Sequence, residues 1–139
     1  PEDSVKFSKQ ALLLTEQFSS YVVLDSLHIN GEATLGENIA DLGGIVIGFA
    51  AFKKTEQYKR GEKIDGLTPA QRYFLGYTMG WLGHSRDAAL AMQVMTNVHS
   101  PNFLRVNGPF SNVPEFYEAF GITEGQAMWR PDSLRVNIW

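Results

Sequence analysis

Apolar residues recur at helical spacing in the first part of the chain. Between Val5 and Leu24 they fall three or four positions apart, which predicts one long helix. The start, Pro1 followed by two acidic residues, suits a helix N-terminus. Asn30-Gly31 then marks a turn, and a second helix is predicted from about Glu37 to Gln57. The periodic residues of the first helix are Phe7, Ala11, Leu14, Phe18 and Tyr21.

A polar loop at residues 61–66 separates the second predicted helix from a third. Thr68 is an N-cap candidate, and Pro69 occupies the first helical position, where its missing N–H costs nothing. The third helix is expected to run to about Trp81.

Ser85 offers a cap for a fourth helix, Arg86–Asn97. Beyond it, turn-forming residues predict an irregular C-terminal segment, with at most a short extended stretch at Phe103–Val106 and a short helix at Glu115–Phe120. The terminal Trp139 is expected to be docked. The predicted class is therefore mainly α, with four principal helices in a single domain spanning residues 1–139. The turn signals are Ser100-Pro101-Asn102, Asn107-Gly108-Pro109 and Asn112-Val113-Pro114.

The second predicted helix carries two carboxylates, Glu37 and Asp41, one turn apart. At this spacing they lie on one face and repel each other, and a cation beside them would remove the penalty. Acidic pairs also occur on solvated faces, but this helix is apolar nearly all round, and buried carboxylates need partners or a metal. A metal ion held by one carboxylate and supported by the other is therefore a specific hypothesis. The apolar neighbours are Ile39, Ala40, Leu42, Ile45, Val46, Ile47 and Phe49.

Composition narrows the classes of function. The formal charge is −3, and no face collects most of the basic residues, which argues against nucleic-acid binding. The chain has no cysteine, so disulfides and thiolate zinc sites are excluded. The lack of cysteine also fits a bacterial protein.

No apolar run is expected to reach the length of a membrane span, and no signal peptide is visible. Because the chain opens with Pro1, we expect a processed or excised piece of a longer protein. For that protein a bacterial periplasmic or cell-surface location is favoured over the cytoplasm.

Ordered motifs along the whole chain resemble the neprilysin and endothelin-converting-enzyme family, including its bacterial, oligopeptidase O-like members. The spacing is consistent from the acidic block to the C-terminus. The motifs are Asn30–Gly44 with its Glu-Asn-Ile-Ala-Asp core, Tyr73–Tyr77 with Trp81, Val98–Pro101 with Phe103 and Arg105–Gly108, Asn112 with Pro114–Phe116 and Ala119-Phe120, and Arg135–Trp139.

The resemblance implies a zinc endopeptidase with a thermolysin-like, glutamate-zincin catalytic domain that cuts oligopeptides beside large apolar residues. By this resemblance Glu37 is the third zinc ligand, and Asp41 orients a ligand histidine. His99 would stabilise the oxyanion, Arg105 would bind a substrate carbonyl, and Trp81 would line the pocket for the side chain after the cut.

The chain departs from the family pattern in one respect, since it contains no His-Glu-x-x-His motif. In the family this motif supplies two zinc ligands and the base that activates water. The motif would lie just upstream of Pro1, so the chain is expected to be the C-terminal part of a catalytic domain, inactive alone, with its upstream part as partner. A face left uncovered by that part would favour self-association.

Each candidate also has a purely structural interpretation. His99 could be a hydrogen-bonded structural histidine, Arg105 could pair with a surface carboxylate, and Trp81 could be plain core. His28 and His84 are expected to be structural.

Two further functions remain open at this stage. One is a non-catalytic helical interaction module that keeps the shape of the peptidase lobe. The other is an independent metal site formed by Glu37, Asp41 and His99.

Overall fold

The computed structural model describes residues 1–138, so the predicted docking of Trp139 lies outside the described residues. The chain is mainly helical, as predicted, but with more helices than the four expected. The elements are α1 (Glu2–Ser19), β1 (Val22–Leu24), β2 (Leu27–His28), α2 (Leu35–Phe52), α3 (Glu56–Lys59), α4 (Pro69–Met79), α5 (Asp87–Thr96), α6 (Asn102–Phe110), α7 (Pro114–Phe120) and a 3₁₀ turn (Asp132–Leu134).

The first two predicted helices are too long at their C-terminal ends. Helix α1 ends at Ser19, because β-branched Val22 and Val23 enter a short antiparallel pair with β2. Asp25, with φ of 46°, makes the tight turn between these strands. Helix α2 ends at Phe52, because Thr55 starts a new helix by accepting a hydrogen bond from the backbone N–H of Tyr58 at 3.2 Å.

The capping prediction for α4 is confirmed. The Thr68 hydroxyl accepts from the Gln71 N–H at 3.2 Å, and the Gln71 side chain accepts from the Thr68 N–H at 2.9 Å. This reciprocal pair is a capping box. The predicted cap of α5 is wrong, because the N-cap position is Arg86 rather than Ser85 and it makes no side-chain cap bond.

The largest correction concerns Phe103–Val106, which is helical and belongs to α6 rather than to an extended stretch. Pro109 lies in the last turn and has no N–H for the Arg105 carbonyl. The Tyr77 hydroxyl, from α4, lies 3.4 Å from that carbonyl oxygen and offers the missing donor. A Cβ on Gly108 would lie 2.5 Å from the Phe18 ring, so only glycine lets α1 approach this closely. Contacts from distant elements therefore allow a helix where local turn residues predict none.

The core lies between α1, α2, α4, α6 and α7 and is centred on Phe74, which is completely buried. The Phe74 ring lies 5.2 Å from those of Phe49 and Phe110 and 5.4 Å from that of Phe116. Such ring pairs add stability beyond their buried area. The core fixes α2 against α4 and α6, the elements that carry most of the predicted site residues.

Helix α2 buries one side against this core and leaves the other open. Leu42, Ile45 and Phe49 are buried, whereas Gly44 and Ile47 are exposed. By length and composition α2 could also cross a membrane, as could the core helix of many soluble proteins, and it alone passes this test within residues 1–138. The expectation of no membrane segment therefore stays a prediction.

Candidate active site

The two carboxylates of α2 lie at the edge between its buried and open sides. Glu37 is in the first turn, with its side chain 39% exposed, whereas the Asp41 side chain is 8% exposed. The Glu37 Oε2 atom lies 3.0 Å from His99 Nε2 and 3.8 Å from Arg105 Nη2. The structure thus brings a half-exposed carboxylate together with an imidazole and a guanidinium from distant parts of the chain.

Arg105 relieves the repulsion between the two carboxylates. Its Nε and Nη2 donate to the two oxygens of Asp41 at 2.7 and 2.8 Å, a bidentate pair. The hydrogen bonds to Asp41 raise the pKa of Arg105 above its usual value. The cation beside Asp41 is therefore Arg105 from α6. In the described part of the chain Asp41 holds this guanidinium, whereas the resemblance assigned it to a ligand histidine.

Trp81 covers the other side of Arg105. The guanidinium carbon lies 4.1 Å from the centroid of the Trp81 ring, which is a cation–π contact. Trp81 also lines a cleft of about 400 Å³ with apolar residues from α5 and α6. Trp81 is partly buried against the hydrophobic core as well as beside the cleft, so its role as a pocket residue stays a prediction. Apolar lining residues include Leu82, Leu90, Pro101, Phe103 and Val106.

His99 is held from its other ring nitrogen by Asn97. The Asn97 Oδ1 accepts the backbone N–H of His99 at 2.9 Å and lies 2.9 Å from His99 Nδ1. Because the backbone N–H can only donate, it identifies the accepting oxygen of the Asn97 amide, and this oxygen holds the imidazole ring through Nδ1. The Nε2 atom therefore faces Glu37 and the open side of the site.

Tyr77 was missed by the sequence interpretation as part of this cluster. Burial raises the pKa of Tyr77 to about 12, and the negative charge of Asp41 adds to the effect. Its spacing of four residues from Trp81, within the helix that the sequence predicts up to Trp81, is the signal that would have placed it at the site.

Asn38 and Ser100 were also missed, although each is adjacent in sequence to a predicted site residue. Both are 1% exposed, and the Ser100 hydroxyl donates to Asn38 Oδ1 at 2.9 Å. A polar residue beside a candidate ligand in an apolar helix is the available signal, because a buried amide needs partners.

The remaining histidines have other surroundings. His28 Nδ1 lies 3.1 Å from the Ser19 carbonyl oxygen, at the start of the β-hairpin. His84 is exposed and lines the same cleft as Trp81.

The hypothesis of an independent metal site is wrong for residues 1–138. No three histidine, aspartate or glutamate side chains in this range form a group that could hold a metal ion. Asp41 is engaged by Arg105, so Glu37 and His99 remain as a pair. A zinc site on this chain would need ligands from elsewhere.

Comparisons with a family model and with individual proteins find similarity along nearly the whole chain. The model of peptidase family M13 matches residues 1–136. Neprilysin-2 of Caenorhabditis elegans is 39% identical over 136 residues, covering 94% of this chain and 18% of that protein. An endothelin-converting enzyme homolog of Locusta migratoria is 38% identical over 125 residues, covering 88% and 17%. The chain thus spans about a fifth of the length of these relatives.

A solved structure shares the fold over the whole chain. The zinc metalloprotease ZMP1 of Mycobacterium tuberculosis, in complex with an inhibitor, superposes with a TM-score of 0.88 at 33% identity, over 100% of this chain and 22% of that one. The matched proteins come from both animals and bacteria. Both the family model and the relatives cover nearly the whole chain, so the chain belongs to peptidase family M13.

Proposed function

We propose that this chain is the C-terminal part of the catalytic domain of a zinc endopeptidase and supplies one wall of its active site. The observation that carries the proposal is the meeting of Glu37, His99 and Arg105. One carboxylate and two N–H donors, from three separate segments, converge within 3.0 and 3.8 Å at a solvent-accessible point. A partly exposed cluster of ionisable side chains beside a cleft is a candidate functional site.

The residues present fit one position of a zinc site. Glu37 offers a carboxylate oxygen, a common zinc ligand, and its nearest partner is a half-exposed imidazole at 3.0 Å, with the Arg105 guanidinium at 3.8 Å. That pair is weak enough to be exchanged, because both partners remain accessible to water. Two histidines from the upstream part would complete the ligand set. Zinc, when bound, supplies an activated water and polarises the peptide carbonyl.

The chain's own residues hold and orient the substrate in this proposal. Asp41 and Trp81 fix the Arg105 guanidinium, whose Nη1 donates no hydrogen bond within residues 1–138 and is available for a substrate carbonyl. His99 donates from Nε2 to the oxyanion, and a lost donor of this kind costs about 2.7–4 kcal/mol. The cleft beside Trp81 takes the large apolar side chain next to the cut, so oligopeptides are the proposed substrates.

We expect the 139-residue chain alone to be inactive, because the histidine ligands and the general base are missing from it. The test joins the chain to its upstream segment and measures zinc content and cleavage of apolar oligopeptides. Glu37→Gln should abolish both. Glu115→Gln is the matched control, since Glu115 pairs with Lys53 on the surface and should keep zinc and activity. Cleavage that survives Glu37→Gln would overturn the proposal.

The second candidate, a non-catalytic interaction module, is favoured by the open apolar side of α2. Ile47 is 57% exposed, and such a surface could bind a partner or a second copy of the chain. The upstream sequence distinguishes the two functions, because a His-Glu-x-x-His motif before Pro1 supports the enzyme.

For the enzyme we propose a bacterial periplasmic or cell-surface location, which cell fractionation would test.

A further inference from the structure

We propose that Asn38 and Ser100 are positioning residues. They hold the loop at residues 97–101, which carries His99, at a fixed distance from Glu37. This inference rests on the proposed function for its kinetic consequence. Its structural part stands on a buried hydrogen bond that joins the residue after Glu37 to the residue after His99.

The bond is one link in a chain of donors with a fixed direction. The Thr34 hydroxyl donates to the Asn30 carbonyl at 3.0 Å, so towards Asn38 it can only accept. The Asn38 amide nitrogen donates to Thr34 Oγ1 at 2.9 Å, which turns the Asn38 oxygen towards Ser100. Ser100 then donates at 2.9 Å. Asparagine suits this place because it donates and accepts at once without a charge.

The direct contact between Glu37 and His99 cannot by itself hold the loop in place. Both side chains are about 40% exposed, at 39% and 42%, and water screens the pair. In the proposed enzyme Glu37 turns to a metal and His99 to the substrate, so their contact is lost when the site is loaded. The Asn38–Ser100 bond is neutral and 1% exposed on both sides, and it stays in place.

Positioning also needs the loop to be attached on its far side. The Pro101 carbonyl accepts from the N–H groups of Leu104 and Arg105 at 2.8 and 3.1 Å, which starts α6 directly after the loop. Ser100 thus anchors the point where the loop carrying His99 meets the helix carrying Arg105. A shift there would move both donors relative to Glu37, and small misplacements of this kind cost up to about 100-fold in rate.

The first test is hydrogen–deuterium exchange of the metal-free protein that carries this chain. The reporters are the amides of His99, Leu104 and Arg105. Ser100→Ala removes the donor and should speed their exchange about tenfold, since a buried acceptor loses its partner. Glu37→Gln should change it little, because the exposed pair contributes less.

Ser111→Ala is the matched control. Ser111 is also buried and donates to a carbonyl, that of Gly108 at 2.7 Å, at the opposite end of α6. It should loosen that end and leave residues 97–105 unchanged. Unchanged exchange in Ser100→Ala, or an equal rise in both variants, would overturn the proposal.

The second test is kinetic and uses the zinc-loaded protein with its upstream segment. Ser100→Ala should lower kcat about tenfold or more, with a smaller rise in KM because Arg105 also shifts and with unchanged zinc content. Ser100→Thr, which keeps the hydroxyl, should restore kcat. A normal kcat in Ser100→Ala despite faster exchange would show that the bond is merely structural. If the protein has no peptidase activity at all, the proposed function fails, and the exchange experiment still decides whether the loop is held this way.

Discussion

The two sides of helix α2 differ in exposure but not in polarity. The buried side carries Leu42, Ile45 and Phe49, each at most 2% exposed, and packs on α1, α4 and α6. The open side carries only small or apolar residues and no charge. The open residues are Gly36, Ala40, Gly44, Ile47, Ala50 and Ala51. An apolar pattern all round a helix predicts that the helix is buried on every side. Within the described residues, α2 is covered on one side only.

The open side of α2 is suited to close packing against another element. Gly36 and Gly44 have no atom within 4 Å of an added Cβ, whereas the same addition at Gly48, on the covered side, would meet the Tyr73 hydroxyl at 2.5 Å. Glycine in a helix costs about 1 kcal/mol relative to alanine, and on the open side no contact within the described chain explains that cost. On the function proposed above, the upstream part of the catalytic domain would pack there.

Truncation of one apolar side chain on each side of α2 should give the greatest difference in the free energy of unfolding. Phe49→Ala should lower the free energy of unfolding by about 3–5 kcal/mol, because it leaves a cavity in the aromatic cluster. Ile47→Ala, two residues away and 57% exposed, should change it by less than about 0.5 kcal/mol. Urea unfolding followed by circular dichroism measures both. A comparable loss in the two variants would show that the open side is already covered, for example by a second copy of the chain.

Removal of the Arg105 guanidinium, which lies at the edge between the two sides of α2, should have the next largest effect on the free energy of unfolding. Arg105→Met keeps the stem over Trp81 but leaves Asp41 buried without its partner, and should cost about 2–4 kcal/mol. This lies slightly below the range for fully buried pairs, because the Arg105 side chain is 15% exposed. Adding Asp41→Asn should recover most of the loss. A double variant as unstable as Arg105→Met alone would mean that the ion pair is not the cause.

The sequence predicted what depends on neighbouring residues. The cap at Thr68 and Gln71 is local, and the structure has it as expected. The helix α6 was missed because it depends on Tyr77, 28 residues away, and on Phe18, whose ring lies against Gly108. No local pattern contains these contacts.

The same limit applies to the candidate site. Two carboxylates one turn apart predict a cation, but local sequence cannot name a guanidinium 64 positions away as the one beside Asp41. The resemblance named the site residues individually, and the structure shows how they are joined. The resemblance did not predict the buried hydrogen bond between Asn38 and Ser100, because the only sequence signal of an uncharged pair is the presence of two polar residues.

Glycine replacement gives a smaller but sharper contrast between the two sides. Gly44→Ala should raise the free energy of unfolding of the 139-residue chain by about 1 kcal/mol, since the methyl group meets open space. Gly48→Ala should lower it by about 1–3 kcal/mol, because Tyr73 must move and its 2.8 Å bond to the Ile45 carbonyl is strained.

The longer protein provides the control for this contrast. If the upstream part packs on the open side, Gly44→Ala should be destabilising there and stabilising only in the shorter chain. A stabilising effect in both would argue against a covered surface and for a free interaction module. Sedimentation of the shorter chain adds a separate check, because the uncovered side predicts dimers or larger species.

The smallest predicted effect is on the pH dependence of the free energy of unfolding. Two tyrosines of α4 report how far water is excluded from the covered side of α2. Burial raises the pKa of Tyr73, and it raises that of Tyr77 from 10.0 to about 12 with help from the charge of Asp41. Between these two pH values the unfolded chain releases the Tyr77 proton and the folded chain keeps it. Since the folded state then binds more protons, the free energy of unfolding falls as pH rises through this window. Urea midpoints measured from pH 9 to pH 11.5 should show the fall. Tyr77→Phe should make it shallower, and it should also lower the midpoint at pH 7, because the Arg105 carbonyl loses the Tyr77 hydroxyl as its donor. An equal slope in Tyr77→Phe would mean that the Tyr77 hydroxyl is solvated and that water reaches the edge of α2 beside Asp41. Such a result would also contradict a tightly held Arg105.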